Sequence, residues 1–166
     1  NYSGGCAWLP SEFEALSNAV RKYESKLHVD GARVFNAAIA TGSDVKEYMR
    51  HVDSLTFCVS KGLSAPVGSV LCGTRDFIEK AHVARKRLGG GMRQSGVLAA
   101  AGIVALQTNV DRLADDHARA AALKAGLEAI EGIQTVQPPV PTNIVVVDVG
   151  QMAWTTETVL DKWASR

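Results

Sequence analysis

The chain has 166 residues, of which 46% are apolar and 21% charged, with a formal net charge of +1. That length can bury a sizeable core, and the near-neutral balance gives no electrostatic basis for binding nucleic acid or an anionic membrane. No uninterrupted apolar run approaches the ~18 residues of a membrane span.

Pro10 and Ser11 open the first predicted helix. Ser11 is the expected cap and Glu14 the third helical residue of a capping box. Phe13, Leu16, Val20 and Tyr23 recur at helical spacing and extend the helix over about 12–26. Residues 27–30 read as a short buried strand. Residues 33–40 read as a short helix ended by Gly42, and Ser43 can cap a second one through Met49. Residues 54–59 alternate, with Leu55, Phe57 and Val59 on one face and Thr56 and Cys58 on the other. Residues 67–72 form the next strand, and the brief turn between the two demands an antiparallel pair.

Thr74 caps a helix through Arg87. Residues 94–106 are nearly all apolar and rich in Ala and Gly, so this helix is expected in the core. Asn109 can cap a long helix over 110–131, which Gly132 ends. Pro138, Pro139 and Pro141 punctuate the chain before a strand at 143–149. The last helix spans 155–164, with Val159, Leu160 and Trp163 on one face. This alternation predicts an α/β fold. The polar QTN near Asn109 predicts a division into 1–109 and 110–166.

Lys61 carries the chemistry. It follows an alternating strand and precedes a Gly/Pro-rich turn in SLTFCVSKGLSAPVGSVLCG. A lysine at the buried end of a strand loses water, and the same environment makes an amine nucleophilic. The alternative is a stem lying along the sheet with its head in solvent. Upstream, LHVDGARVFNAAIA runs a short strand into Asp30, a Gly-Ala turn and Arg33 at a helix start. Ligands bind at the C-terminal ends of strands in open α/β sheets. Downstream, three glycines precede Met92 and Arg93 in RKRLGGGMRQSGVLAAAG. Arg93 is assigned to an anionic cofactor phosphate, of its own or a neighbouring subunit, because glycine lets backbone approach an anion. Lysine, aspartate and arginines so placed are what pyridoxal phosphate demands: a covalent attachment point, a partner for the pyridine nitrogen and holders for the anionic groups.

The other candidates read as structural. His28 shares a strand face with Asp30 and could orient it or hydrogen-bond within the core; the core role is favoured. His51, His82 and His117 are expected on solvated helix faces or ends. The helix dipole explains Arg85, Lys86 and Arg87. Cys6, Cys58 and Cys72 lack metal spacing and read as buried, reduced thiols, so no metal site and a reducing, cytoplasmic setting are expected.

HVDGARVFNAA, the SKGL-APVGS turn and the GGGMRQ-GVLAAAG run resemble low-specificity L-threonine aldolases, pyridoxal-phosphate enzymes of the aspartate-aminotransferase fold, fold type I. The likeness covers nearly the whole chain, more loosely at 1–9 and 140–166. Family members are roughly twice as long, in keeping with two domains. The resemblance therefore implies a fragment: the C-terminal half of the large domain and the beginning of the small one. By itself such a fragment is expected to be inactive. The implied reaction is cleavage of L-threonine or L-allo-threonine to glycine and an aldehyde. Lys61 would hold the cofactor, Asp30 would keep its pyridine nitrogen protonated, and Arg33 would bind the substrate carboxylate. The implied assembly is a homo-oligomer, a dimer of dimers. Alternatives are a β-eliminating lyase or transaminase of the same fold, or an incomplete, inactive remnant.

Overall fold

The alternation in Ser54–Cys58 sets the architecture. Leu55 and Phe57 point into the core, and Val59 continues their row just past the strand. In the computed structural model, which describes residues 4–151 and 155–165, this strand (β2) is the centre of a three-stranded sheet. β1 (His28–Asp30) runs parallel to it, with Val29 opposite Leu55 and Asp30 opposite Thr56. β3 (Ser69–Gly73) returns antiparallel, with Cys58 opposite Ser69 and Ser54 opposite Gly73. The expected antiparallel pair is therefore present. β1, expected to be buried, has exposed His28 and Asp30. As an edge strand it has a neighbour on one side only.

The helices supply the rest of the core. α1 (Pro10–Arg21) is capped at Leu9 rather than Ser11; the Glu12 carboxylate accepts the Leu9 N–H at 2.6 Å. It ends well short of Lys26, where Glu24 adopts a left-handed backbone at φ +52°. α2 (Val34–Thr41) ends on Gly42, left-handed at φ +66°, as the sequence predicts. α3 (Val45–Met49) is capped by Asp44, not Ser43: the Asp44 carboxylate accepts the Lys46 N–H at 2.8 Å. Val34 and Ala38 of α2 and Tyr48 of α3 join Leu55, Phe57 and Val59 in one buried cluster. Phe35 meets Phe57 edge-on, with centroids 5.3 Å apart.

α4 (Arg75–Arg87) starts where the Thr74 hydroxyl accepts the Phe77 N–H. α5 (Gly96–Thr108) departs from expectation. Only Ala105 is buried along it, and Val97 is 72% exposed. Its apolar residues run all round the helix, while within this chain one side packs towards the sheet through Ala105 and Leu106. α6 (Leu113–Glu128) begins later than predicted, because Asn109 closes α5 instead of capping the next helix. The predicted strand at 143–149 shrinks to β5 (Val147–Asp148), paired with β4 (Gln134–Thr135). α7 (Thr156–Ala164) is capped by the Thr155 hydroxyl, and its Leu160 and Trp163 are exposed.

α6 closes the core beneath the Lys61 turn. Leu113 is 1% exposed, and a Cβ added at Gly62 would stand 2.6 Å from its Cδ2. One turn on, His117 is half-buried rather than solvated. Its Nε2 lies 3.1 Å from Nδ2 of Asn36, itself buried on α2. Burial holds the His117 imidazole below its ordinary 6.5, with Asp116 opposing.

Two tests follow from this packing, both on the protein that carries this segment. Gly62→Ala should cost about 1–3 kcal/mol, because Leu113 has no free space to retreat into; urea unfolding measures it, and an unchanged midpoint contradicts the contact. For His117, the folded pKa lies below the unfolded one, so the unfolded chain binds the proton more readily. Its contribution is complete above 6.5 and is lost as pH falls below that value. Urea midpoints should therefore drop between about pH 7 and pH 5, and His117→Gln should flatten that slope.

Candidate active site

The site is built where β1 and β2 end side by side. After Asp30 the chain must turn against β2 at very close range. The Gly31 N–H donates to the Thr56 carbonyl at 2.8 Å, and a Cβ at Gly31 would stand 2.5 Å from Leu55 Cδ1. Glycine is required there by space. The Asp30 carboxylate accepts the Ala32 N–H at 3.1 Å, which fixes its own turn. The Cys58 N–H then donates to the Ala32 carbonyl, carrying the pairing to the end of β2. Arg33 occupies the cap position of α2. At the other end of β1, the Asp53 carboxylate accepts the Leu27 N–H at 2.9 Å and pairs with Lys26 and Arg21. The Leu27 bond is the main reason its pKa lies below the ordinary carboxylate value.

The turn that presents Lys61 is held from several sides. The Val59 N–H donates to Gly68, the Ala65 N–H to Val59 and the Ser64 N–H to Lys61 itself. Ser64 takes a left-handed backbone at φ +62°. Asn109 reaches from the end of α5 and donates Nδ2 to the Leu63 carbonyl at 2.8 Å. Lys61 leaves this frame exposed, the alternative in which the head of a strand-end lysine reaches solvent. Its Nζ donates to Cys58 Sγ at 2.9 Å.

Asp30, Arg33 and Lys61 line one cleft of about 620 Å³, together with His28. Trp8 and Phe13 form its apolar wall, in edge-on contact at 5.8 Å. Behind them Phe13 meets Tyr48, whose hydroxyl donates to the Trp8 carbonyl at 2.9 Å. Burial raises the Tyr48 pKa, despite the bond from Thr41. The aromatic wall had no spacing signal: Trp8 precedes the first helix, and Phe13 reads as ordinary helix core. His28, favoured for a core role, is instead exposed, with Nδ1 2.8 Å from Ser54 Oγ. Arg93 is exposed in the turn before α5 and does not line the cleft. Cys58, expected as a core thiol, is half-buried on the face opposite Leu55 and Phe57. Among the described residues no group of three or more His, Cys, Asp or Glu is placed to hold a metal. An amine, a carboxylate and a guanidinium on one cleft suit an anionic, carbonyl-bearing aromatic cofactor.

The chain is similar to known proteins over most of its length. The chain is 49% identical over 150 residues to the "Probable low-specificity L-threonine aldolase 2" of Arabidopsis thaliana, covering 90% of this chain and 42% of that protein. It is 55% identical over 116 residues to the low specificity L-threonine aldolase of Escherichia coli O157:H7, covering 68% of this chain and 34% of that one. The solved structure of Leishmania major threonine aldolase superposes with a TM-score of 0.69 at 25% identity, over 81% of this chain and 40% of that chain. The chain thus spans less than half the length of these relatives. Its fold is the α/β fold of fold type I pyridoxal-phosphate enzymes. The profile described as "Beta-eliminating lyase" matches residues 1–150, and the chain belongs to that family.

Proposed function

We propose that the protein carrying this chain is a pyridoxal-phosphate-dependent aldolase that cleaves L-threonine and L-allo-threonine to glycine and an aldehyde. One observation carries the reading: Lys61, Asp30 and Arg33, drawn from two separate segments, line a single cleft at the ends of β1 and β2. The names of the relatives from Arabidopsis and Escherichia coli support the substrate class.

The residues present fit the cofactor. Lys61 supplies the amine for covalent attachment, and its turn leaves only the flexible stem to move. Asp30, fixed by the Ala32 N–H, holds a proton on the pyridine nitrogen. Bound pyridoxal phosphate would supply the sink for the electron pair released when Cα–Cβ breaks. Arg33 pairs with the substrate carboxylate and so fixes the orientation of the bond to be cleaved. Trp8 and Phe13 give that side of the cleft an apolar lining. Arg93, outside the cleft of its own chain, would serve the cofactor phosphate of a neighbouring subunit.

The same reading includes a homo-oligomer arranged as a dimer of dimers and a cytoplasmic setting. It also divides the chain into a cofactor-binding part, 1–109, and a second part, 110–166. In support of that division, α5 ends at Thr108 and α6 starts at Leu113. Among the described residues no helix is long and apolar enough to cross a membrane.

Borohydride reduction of the cofactor-loaded protein, followed by peptide mapping, should place the adduct on Lys61; an adduct on Lys86 or any other lysine refutes the assignment. With L-threonine the protein should release acetaldehyde and glycine, whereas release of ammonia and a 2-oxo acid would mark a β-eliminating enzyme instead. Asp30→Asn keeps the shape and removes the charge. Cofactor should still bind, while turnover falls by about three orders of magnitude or more, because the electron sink is lost. Near-normal turnover in that variant would remove Asp30 from the mechanism.

A further inference from the structure

The Lys61 amine is not free in the cleft. Its Nζ donates to Cys58 Sγ at 2.9 Å, and on the far side Ser69 Oγ lies 3.3 Å from the same sulfur. This row of three is set by the sheet. Cys58 and Ser69 are register partners across β2 and β3 and so share a face. That face is opposite the one on which Leu55, Phe57 and Val59 are buried. Core packing therefore does not account for the thiol. Lys61 follows Cys58 by three residues, and the turn's backbone bonds bring its stem back over the strand end.

We propose that Cys58 is a positioning residue for Lys61: its sulfur holds the amine at the end of β2 whenever the amine is not attached to cofactor. The inference rests on Lys61 being the attachment lysine. The environment suits that contact. The Lys61 hydrogen bond is the largest influence holding the Cys58 thiol below its ordinary value; the Ser69 bond and the Lys61 charge add to it, while burial and the Asp30 carboxylate oppose. Asp30 and Lys61 thus act on the same sulfur with opposite sign. The four-carbon stem of lysine is flexible, so a fixed acceptor at the strand end shortens the search for the carbonyl.

The test uses the protein that carries this segment, stripped of cofactor. First, Cys58 alkylation by iodoacetamide is followed against pH in the wild type and in Lys61→Met. The wild-type thiol should react at distinctly lower pH; superimposable profiles overturn the pair. Second, the rate of cofactor attachment is followed by its visible absorption in Cys58→Ala and Cys58→Ser. In Cys58→Ala attachment at neutral pH should slow about tenfold, because the lysine stem is no longer held at the strand end. Cys58→Ser retains a hydrogen-bond acceptor of similar size, so attachment should return towards the wild-type rate. A wild-type rate in Cys58→Ala overturns the proposal, and so does a serine variant as slow as the alanine one. If borohydride mapping finds another lysine, the functional reading fails; if mapping finds Lys61 and Cys58→Ala behaves as wild type, only the present inference fails.

Discussion

The close approach of β1 to β2 at Gly31 is the constraint on which the rest depends. A strand end and a helix start must pass within contact of Leu55, and no side chain fits between them. Because Gly31 permits that approach, its N–H can take the Thr56 carbonyl and the parallel register is extended past Asp30. Asp30 then emerges beside the end of β2 rather than a residue short of it. A one-residue slip would turn its carboxylate to the opposite face. The carboxylate, the arginine and the lysine come to one cleft through backbone geometry, with no direct bond among the three needed to hold them.

A second layer of constraint comes from the helices beneath. α2 and α6 meet through a polar pair, buried Asn36 and half-buried His117, beside the tightly filled Gly62–Leu113 contact. Buried amides and imidazoles are costly unless paired, so this pair fixes how the two helices align more strictly than apolar packing alone would. The Lys61 turn rests directly on that alignment. The floor of the site is held by these contacts, and the lysine stem extends from it.

The central sheet and the cleft-lining positions of Asp30, Arg33 and Lys61 were legible in the sequence because they are locally determined. The alternation in Ser54–Cys58 assigned its faces, and the Gly/Pro turn assigned the antiparallel return. The Asp-Gly-Ala step placed a carboxylate at a strand end. What was not legible depended on contacts distant in sequence. α5 reads as core because it is apolar, yet hydropathy does not say which sides have a partner, and Val97 and Ile103 face solvent. His117 reads as solvated from its polar neighbours, and only the packing of α6 on α2 encloses it. Asn109 reads as a cap for the helix after it, but its side chain serves Leu63 instead. The helix starts went to Leu9 and Asp44 because side-chain geometry, not residue preference, settles which nearby polar group reaches the free N–H groups. Trp8 has no periodic signature, and the helical period that includes Phe13 marks it as core rather than as a cleft wall.

The Asn109–Leu63 bond also bears on the order in which the protein matures. Its two residues are 46 apart in the chain. During synthesis Lys61 and the whole of its turn leave the ribosome long before the amide that completes it. β2, β3 and their short connection can close early, since local pairings form fastest. The turn acquires its last restraint only after α5 has formed and its C-terminal end has docked. Until then the lysine is carried on a loop whose inner carbonyl is satisfied by water. Completion of the turn that carries Lys61 is therefore expected late in folding, timed by a helix that contributes no side chain to the cleft.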